Sequence, residues 1–262
     1  MHFSRMMGGS AIKLVTLDVT NTLIRVVRSP GYQYAYIGLK HGLELDDRVL
    51  TGLFFKYYKE YSRKYPNFGV QCMISPHTWW TALVKDCFRS ADARIPEETL
   101  NLLADDLYFH YTTAKPWELF PGAVEAIKDL RQYAVKIGVI SNWDHRLYKV
   151  LEAMKLRPYF DFVLTSTVAC VEKPDSAIFH LALQNAGCRP DEAVHFGDNV
   201  EKDFHGAHNA GMRAYLLVPS GVQNLSVSPN LVVNSVQEFV DVIRPQLGAK
   251  ADHTVLEKKE IV

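Results

Sequence analysis

The sequence predicts an α/β fold in which a parallel sheet is interrupted, close to its first strand, by an inserted helical segment. Residues 12–17 form a short apolar run that is rich in β-branched side chains and typical of a buried strand. Residues 31–114 are helical in pattern and rich in aromatic residues. After Trp117, short apolar runs alternate with amphipathic segments, which predicts right-handed βαβ units around a parallel sheet.

The interrupting segment, residues 29–115, predicts a bundle of about four helices. Start and stop signals locate three of them. The first predicted helix has acidic residues at its start and basic residues at its end. The second is preceded by Ser75 and Pro76, and the third begins at Pro96. These three predicted helices cover residues 46–65, 77–90 and 96–111.

The same segment holds nine of the 13 tyrosines and two of the four tryptophans. A small bundle needs large side chains to form a core, so we expect most of these rings to be buried. Trp80 shares a helical face with Leu83, Val84 and Cys87 and is expected to belong to that core. Three tyrosines are candidates for contacts with a substrate or partner: Tyr57, Tyr58 and Tyr61.

The predicted core domain comprises residues 11–28 and 116–247, with residues 1–10 and 248–262 as flexible termini. Its later strands are predicted at residues 135–140, 160–165, 193–196 and 213–218. Its helices are predicted at residues 121–133, 145–154, 176–187, 203–210 and 236–247. Asp175 is expected to cap the third of these helices.

Composition and charge exclude several classes of protein. The chain is 48% hydrophobic, so it can bury a core. It carries 29 basic and 29 acidic residues, which argues against general nucleic-acid binding but leaves room for a small basic patch. The longest uncharged stretch, residues 214–237, is broken by prolines and a glycine, so no membrane span is expected. Four cysteines without C-x-x-C spacing favour reduced thiols and an intracellular, cytoplasmic protein. Residues 1–13 contain Arg and Ser but no acid, which leaves a mitochondrial presequence as the alternative.

Polar side chains occur at the ends of three predicted strands. Asp18 and Ser141 directly follow their strands, and Asp198 follows another after one glycine. In an open parallel sheet, ligands bind beyond the carboxyl ends of the strands near a switch point. We therefore expect these residues, although up to 180 positions apart, to meet in one crevice. Each alone could also be a turn former or a helix cap.

Four motifs occur in order, each beside a predicted strand or helix: LDVTNTL (17–23), VISN (139–142), VEKPD (171–175) and HFGDNVEKD (195–203). Together they resemble the haloacid dehalogenase superfamily, whose members are mostly magnesium-dependent phosphohydrolases. The resemblance implies a Rossmann-like core and identifies the helical segment as a mobile C1-type cap.

The resemblance also implies roles for individual residues. Asp18 is the expected nucleophile, because a carboxylate can attack phosphorus to form an acyl phosphate. Lys173 is the second expected catalytic residue and supplies positive charge. Mg²⁺ is the expected cofactor, and oxygen ligands suit it. Its expected ligands are Asp18, the backbone carbonyl of Thr20, Asp198 and, directly or through water, Asp203.

A small phosphorylated molecule is the expected substrate. Ser141 and its neighbouring amide are expected to donate to phosphoryl oxygens, Asn142 to contact the substrate, and Thr22 to brace the first-motif loop at the substrate site. Asp144 and His145 are weaker candidates for substrate contacts. His195, within a strand, is expected to be a satisfied histidine of the core or of the sheet edge.

Thr20 departs from the pattern, because phosphatases of this superfamily usually carry a second aspartate there as general acid. A hydroxyl is too weak an acid for that role, and loss of a general acid costs about 10²–10⁴ in rate. Asn21 also replaces a glycine common in this motif.

Three functions remain open. The first is a phosphohydrolase that uses a good leaving group or an acid from elsewhere, such as the cap. The second is a magnesium-binding pseudo-enzyme that binds a partner. The third, less favoured because the acidic loop is kept, is a metal-independent haloacid dehalogenase.

Overall fold

The computed structural model describes residues 10–218 and 226–250, so most of the two predicted flexible termini lies outside the described residues. Eight strands occur in this part of the chain. They are β1 (Leu14–Leu17), β2 (Ile24–Val26), β3 (Trp117–Leu119), β4 (Lys136–Ser141), β5 (Phe162–Thr165), β6 (Ala193–Gly197), β7 (Arg213–Leu217) and β8 (Val232–Val233).

Ten α-helices accompany the strands in the described residues. They are α1 (Pro30–Lys40), α2 (Asp47–Lys64), α3 (Pro76–Ala91), α4 (Glu97–His110), α5 (Ala123–Leu130), α6 (Arg146–Ala153), α7 (Ser166–Ala169), α8 (Ser176–Ala186), α9 (Gly206–Asn209) and α10 (Val236–Ile243). None of the described helices is long and apolar enough to cross a membrane.

Six strands form one parallel sheet in the order β5-β4-β1-β6-β7-β8. The chain builds outward from β1 first through β4 and β5, and then on the other side through β6, β7 and β8. The switch point therefore lies at the carboxyl end of β1, where a crevice is expected. The predicted α/β fold with a parallel sheet is confirmed.

Helices cover both faces of this sheet because neighbouring strand residues point to opposite sides. Val15 packs in a cluster with Ile127 of α5, Leu147 of α6 and Phe239 of α10. Leu14 packs on the other face with Phe179 of α8, and Ala207 of α9 belongs to the same cluster. The result is a three-layer core with both faces of the sheet buried, as parallel strands require.

The helical insert, defined here as residues 30–111, leaves and rejoins the sheet domain through an antiparallel pair. Ile24 of β2 pairs with Leu119 of β3, and Val26 pairs with Trp117. The sequence did not predict these strands, because three residues are too few to show a period of two.

The insert contains the four predicted helices, α1 to α4, around a hydrophobic core of its own. Leu83, Val84 and Cys87 are buried in that core as predicted. Trp80 packs against the same core, as predicted, but is less buried than its neighbours. Its neighbour Trp79 is the fully buried ring, whereas Trp80 is half-buried at the edge of the core.

Helix capping follows the sequence signals. Asp46 accepts hydrogen bonds from the amides of residues 48 and 49 at the start of α2, and Ser75 accepts one from residue 78 at the start of α3. Asp175 accepts one from residue 177, which confirms the predicted cap of α8.

Three predicted boundaries differ near the crevice. β4 runs one residue further than predicted, so Ser141 is its last residue instead of following it, and Gly197 likewise ends β6. The predicted helix at 203–210 begins earlier, as a π-helical turn at Val200–His205 that continues into α9. The cause is Asn199, whose side chain accepts the amide hydrogens of residues 201 and 202 and starts the turn there.

Candidate active site

Asp18, Ser141 and Asp198 meet at the carboxyl end of β1, as the strand positions predicted, and Lys173 joins them from the loop before α8. The Ser141 hydroxyl and the Lys173 ammonium both donate to Oδ1 of Asp18, each at 2.8 Å. The other oxygen of Asp18, Oδ2, accepts the Thr22 hydroxyl at the longer distance of 3.4 Å. One carboxylate oxygen is thus held firmly and the other more loosely.

Lys173 is buried and contacts two carboxylates, those of Asp18 and Asp203, and the carbonyl oxygen of Ile140. Burial by itself lowers the pKa of its ammonium, but the two carboxylates more than offset this and leave the pKa raised. Lys173 is therefore a permanent cation at neutral pH.

Asn142 orients Lys173. Its side-chain amide donates to the carbonyl of Lys173 at 2.9 Å and accepts from the amide of Lys173 at 2.8 Å. Sequence reasoning assigned Asn142 to the substrate, and that contact stays a prediction. What the structure shows is that Asn142 connects the end of β4 to the loop that carries the lysine.

Asp203 is buried at the junction of several contacts. Its Oδ1 accepts from Lys173 and from Nε2 of His195 at 3.1 Å, and its Oδ2 accepts from the amide of Asn199 at 3.0 Å. Burial raises the pKa of this carboxyl, but Lys173 and His195 outweigh burial and lower the pKa well below its ordinary value. Asp203 is thus a fixed anion whose two oxygens both have protein partners.

His195 is a satisfied core histidine, one of the two environments that the sequence predicted, and it is fully buried. Burial lowers its pKa despite the hydrogen bond to Asp203, so the ring is neutral. In the tautomer protonated at Nε2, this nitrogen donates to Asp203, and Nδ1 accepts from the Thr16 hydroxyl at 2.9 Å. His195 therefore positions Asp203.

Gly197 allows Asp203 to approach the end of β6. A Cβ atom on Gly197 would lie 2.3 Å from Cγ of Asp203, which no real contact permits. The glycine of the HFGDN motif is therefore required by close packing against the carboxylate.

The residues fit a divalent cation. Asp18, Asp198 and Asp203 each offer an oxygen within 4.8 Å of the others. Three carboxylates face the single ammonium of Lys173, which leaves a formal charge of two negative units at the cluster. Burial first, and then Asp18 and Asp203, raise the pKa of Asp198 to about 7. Such an incompletely neutralised cluster of hard oxygen ligands is what a divalent cation would occupy.

The loop after Asp18 explains both departures from the motif. Asn21 has a φ of 61°, in the left-handed region that glycine adopts freely and asparagine tolerates better than other side chains. The Thr20 hydroxyl oxygen accepts a hydrogen bond of 2.7 Å from the indole of Trp143. The backbone of the loop is therefore compatible with the altered sequence, and the Thr20 side chain faces the crevice.

A cavity of about 560 Å³ lies between the sheet domain and the insert. Asp18, Ser141, Lys173 and Asp198 lie in its wall on the side of the sheet. Aromatic rings line the side of the insert: Phe54, Phe55, Tyr58, Phe68, Trp80 and Tyr108.

Only Tyr58 of the three candidate tyrosines lines this cavity. Tyr57 hydrogen-bonds Ser90, and Tyr61 donates to Asp86, in both cases on the insert itself. Tyr58 therefore has structural support for a contact with a substrate, and a contact with a partner at Tyr57 or Tyr61 stays a prediction.

Arg146 was not found by sequence reasoning. Its guanidinium makes a two-pronged ion pair with Asp144, and both residues are buried. The indole of Trp80 donates to the same carboxylate at 2.9 Å, and the guanidinium lies 3.9 Å from the centroid of the Tyr108 ring. The pair therefore connects the sheet domain to the insert, whereas His145 is exposed. The sequence signal for this pair was an acid, Asp144, and a base, Arg146, two residues apart and shortly after the VISN motif.

Comparison with known proteins agrees with this geometry. A family model described as haloacid dehalogenase-like hydrolase matches residues 12–211, which include every residue of the site. The chain belongs to this family. The chain is also 36% identical over 206 residues to haloacid dehalogenase-like hydrolase domain-containing protein 3 from Bos taurus, and the match covers 79% of this chain and 82% of the relative.

Solved structures of other family members share the fold. A 2-haloacid dehalogenase from Pseudomonas syringae superposes with a TM-score of 0.64 at 23% identity, covering 89% of this chain and 99% of that one. A HAD phosphatase from Thermococcus onnurineus superposes with a TM-score of 0.57 at 20% identity, covering 88% and 98%. These likenesses establish the family fold, which hosts both chemistries, so the reaction has to be inferred from the site.

Proposed function

We propose that this family member is a magnesium-dependent phosphohydrolase that acts on a small phosphorylated molecule through an aspartyl-phosphate intermediate. The observation that carries the proposal is the acidic cluster beside a nucleophile that is already oriented. Asp18 is held by Ser141 and Lys173, and three carboxylates face one ammonium. A dehalogenase has no evident use for this excess of negative charge, whereas a metal-dependent phosphohydrolase does.

The residues would divide the work as follows. An oxygen of Asp18 forms a bond to phosphorus while the bond from phosphorus to the leaving oxygen breaks, and the electron pair stays on that oxygen. Lys173 and Ser141 keep the Asp18 carboxylate oriented and offer donors to the phosphoryl group. Water then attacks phosphorus, inorganic phosphate leaves, and Asp18 is regenerated.

Asp18, Asp198 and the carbonyl oxygen of Thr20 would hold Mg²⁺, with Asp203 as a direct or water-mediated ligand. When bound, Mg²⁺ supplies positive charge that reduces the repulsion between Asp18 and the phosphoryl oxygens. Asp203 also contacts Lys173, His195 and Asn199. It would therefore hold these residues in position in addition to contributing a negative charge to the site.

We further propose that the insert acts as a cap over the reacting group. Two contacts hold it against the sheet domain. Trp80 donates to Asp144, and the side chain of Asn67 donates to the carbonyl of Ser166 at 2.9 Å. Closure of this kind excludes water from the charged groups and strengthens their interactions.

The test is release of inorganic phosphate from phenyl phosphate, with Mg²⁺ or with a chelator. We expect release that requires Mg²⁺ and falls at least 10³-fold in Asp18→Asn. Asp105→Asn, an exposed carboxylate on α4, is the matched control and should behave as wild type. Equal rates in Asp18→Asn and wild type would overturn the proposal.

Two other results would select the alternatives. Mg²⁺ binding without turnover of any phosphate would favour a pseudo-enzyme that binds a partner. Turnover of 2-chloropropionate that survives chelation would favour a dehalogenase, for which the absence of an acid at Thr20 is no handicap.

A further inference from the structure

Among the described residues that line the cavity, no carboxyl group is free to take the part of the acid that is missing at Thr20. Among the described residues that line it, the carboxyl groups are Asp18, Asp144, Asp198 and Asp203. Asp18 is the proposed nucleophile, and Asp198 and Asp203 are proposed ligands of the cation, so these three carboxylates already have other roles. Burial raises the pKa of Asp144, but the ion pair with Arg146 outweighs burial and lowers the pKa, so Asp144 is an anion.

The hydroxyl groups of the cavity do not fill this role. Burial raises the pKa of Tyr58 to about 12 and also raises the pKa values of Tyr34, Tyr108 and Tyr111. Thr20, at the position where an acid would act, is an alcohol whose oxygen accepts from Trp143. The leaving oxygen therefore departs without a proton from these groups.

Departure without a proton restricts the leaving group. An alkoxide is a very poor leaving group, because an alkyl alcohol is about as weak an acid as water. A phenolate leaves far more easily, because the pKa of a phenol such as tyrosine is about 10. Acyl phosphates also meet this condition, so the wall of the cavity has to decide between them.

The wall of the cavity is suited to an aromatic ring. Phe68 is stacked on Trp80 with centroids 5.8 Å apart, and Phe54 is stacked on Tyr58 at 5.7 Å. Rings of this kind bind a further ring by offset stacking and by edge-to-face contact. An acyl phosphate such as acetyl phosphate would leave these surfaces uncovered.

The backbone around Phe68, one of these rings, adopts an unfavourable conformation. Asn67, Phe68 and Gly69 have consecutive φ values of 50°, 54° and 87°, all in the left-handed region. Strain of this kind occurs where the surrounding structure enforces a functional conformation. Here Asn67 is held by the carbonyl of Ser166 and by the Glu172 carboxylate, which fixes Phe68 in the wall of the cavity.

We propose that the substrate is an aryl phosphate, a phosphomonoester of a phenol whose ring lies among Phe54, Tyr58 and Trp80. This inference rests on the proposed function and specifies the substrate class of the same site. The aromatic wall of the cavity favours a substrate with a ring. The absence of an acid at Thr20 disfavours phosphate esters of alkyl alcohols.

The test compares three substrates with Mg²⁺: phenyl phosphate, cyclohexyl phosphate and acetyl phosphate. The first two have similar size and differ in leaving group, whereas acetyl phosphate keeps a good leaving group but lacks the ring. We expect kcat/KM for phenyl phosphate to exceed that for cyclohexyl phosphate by at least 10³-fold. Thr20→Asp should raise the cyclohexyl rate and affect the phenyl rate less.

Variants of the wall test the ring contact. Phe54→Leu should raise KM for phenyl phosphate about 2- to 12-fold, the range expected for one aromatic pair, and should change KM for acetyl phosphate less. Phe55→Leu gives a second probe, because this ring lines the cavity yet is 58% exposed and can change without disturbing the core. Phe109→Leu, 69% exposed outside the cavity, is the control.

The outcomes separate the two levels of the proposal. If Asp18-dependent release is absent with all three substrates, the proposed function fails. If Asp18-dependent release occurs but cyclohexyl phosphate matches phenyl phosphate, or both wall variants match the control, the function stands and the aryl class is wrong.

Discussion

Replacement of Lys173 by methionine probes the charge balance on which the site depends. Methionine keeps most of the aliphatic stem and its packing but removes the ammonium. Asp18 and Asp203 then lose their shared cation, and the formal charge of the cluster changes from two to three negative units. Because Lys173 and Asp203 are both only 2% exposed, water cannot replace the lost partner.

Loss of one partner from a buried ion pair costs about 3–5 kcal/mol of the free energy of unfolding. In a protein of this size, 1 kcal/mol corresponds to a shift in Tm of about 2–4 °C. Lys173→Met should therefore lower Tm by roughly 6–20 °C. The Lys173→Met, Asp203→Asn double variant restores the wild-type formal charge. Its loss of stability should be smaller than the sum of the single losses by about 1–3 kcal/mol.

Thermal unfolding without added metal measures these differences, with the exposed Lys149→Met as control. The wild-type advantage should also depend on pH. Since Lys173 helps to lower the pKa of Asp203, the stability it contributes is present above the unfolded pKa of about 3.9 and is lost as pH falls below it. A Tm within 2 °C of the control, or strictly additive losses in the double variant, would refute the reasoning.

Three further predictions follow from the same contacts. Gly197→Ala should lose about 2–4 kcal/mol in thermal unfolding, because its Cβ would overlap Asp203, whereas Gly52→Ala, in an open stretch of α2, should gain about 0.5–1 kcal/mol; equal effects would contradict the packing argument. His195→Gln should lose less stability than wild type between pH 7.5 and 5.5. Because the pKa of His195 is lowered in the folded state, the unfolded state binds a proton at a higher pH than the folded state does. As pH falls below about 6.5, the free energy of unfolding of the wild type should therefore decrease by up to about 1.4 kcal/mol per pH unit. Parallel pH profiles for the wild type and the variant would contradict a buried neutral His195. At pH 6, Mg²⁺ binding should release protons, because the pKa of Asp198 is about 7. Calorimetry in buffers of different ionisation enthalpy measures this release, which Asp198→Asn should abolish.

Much of the fold could be predicted because its signals are local. The caps at Asp46, Ser75 and Asp175 and the apolar periodicity of α2, α3 and α8 depend on neighbouring residues alone. Pairing between strands that are far apart in sequence has no local signal of this kind. β2 and β3 pair across 93 positions with three residues each, and the π-helical turn at 200–205 results from the side chain of Asn199. These elements could be recognised only from the structure.

The site divides in the same way. Asp18, Ser141, Lys173 and Asp198 were predicted because each follows a strand or belongs to an ordered motif. The contacts of Asn142 with the backbone of Lys173 and of His195 with Asp203 depend on register between strands that are distant in sequence. Trp80 illustrates the limit: its position on α3 predicts a core residue, yet its indole reaches Asp144 of the other domain.

The electrostatics of the cluster also imply an order of binding. A phosphate dianion that approaches Asp18, Asp198 and Asp203 meets a net negative charge that Lys173 alone does not neutralise. Like charges at such short range repel strongly in a partly buried site. Asp144 and Arg146 neutralise each other. Arg25, Arg28 and Lys202 also line the cavity, while Lys173 is the base that forms ion pairs with Asp18 and Asp203. If the proposed function holds, we expect a divalent cation to bind before the phosphorylated substrate, whose affinity should be higher for the metal-loaded protein. In Asp198→Asn, with one negative charge fewer, phosphate affinity without metal should rise, which equilibrium binding of inorganic phosphate measures. A fall in that affinity would show that the carboxylate cluster does not control the order.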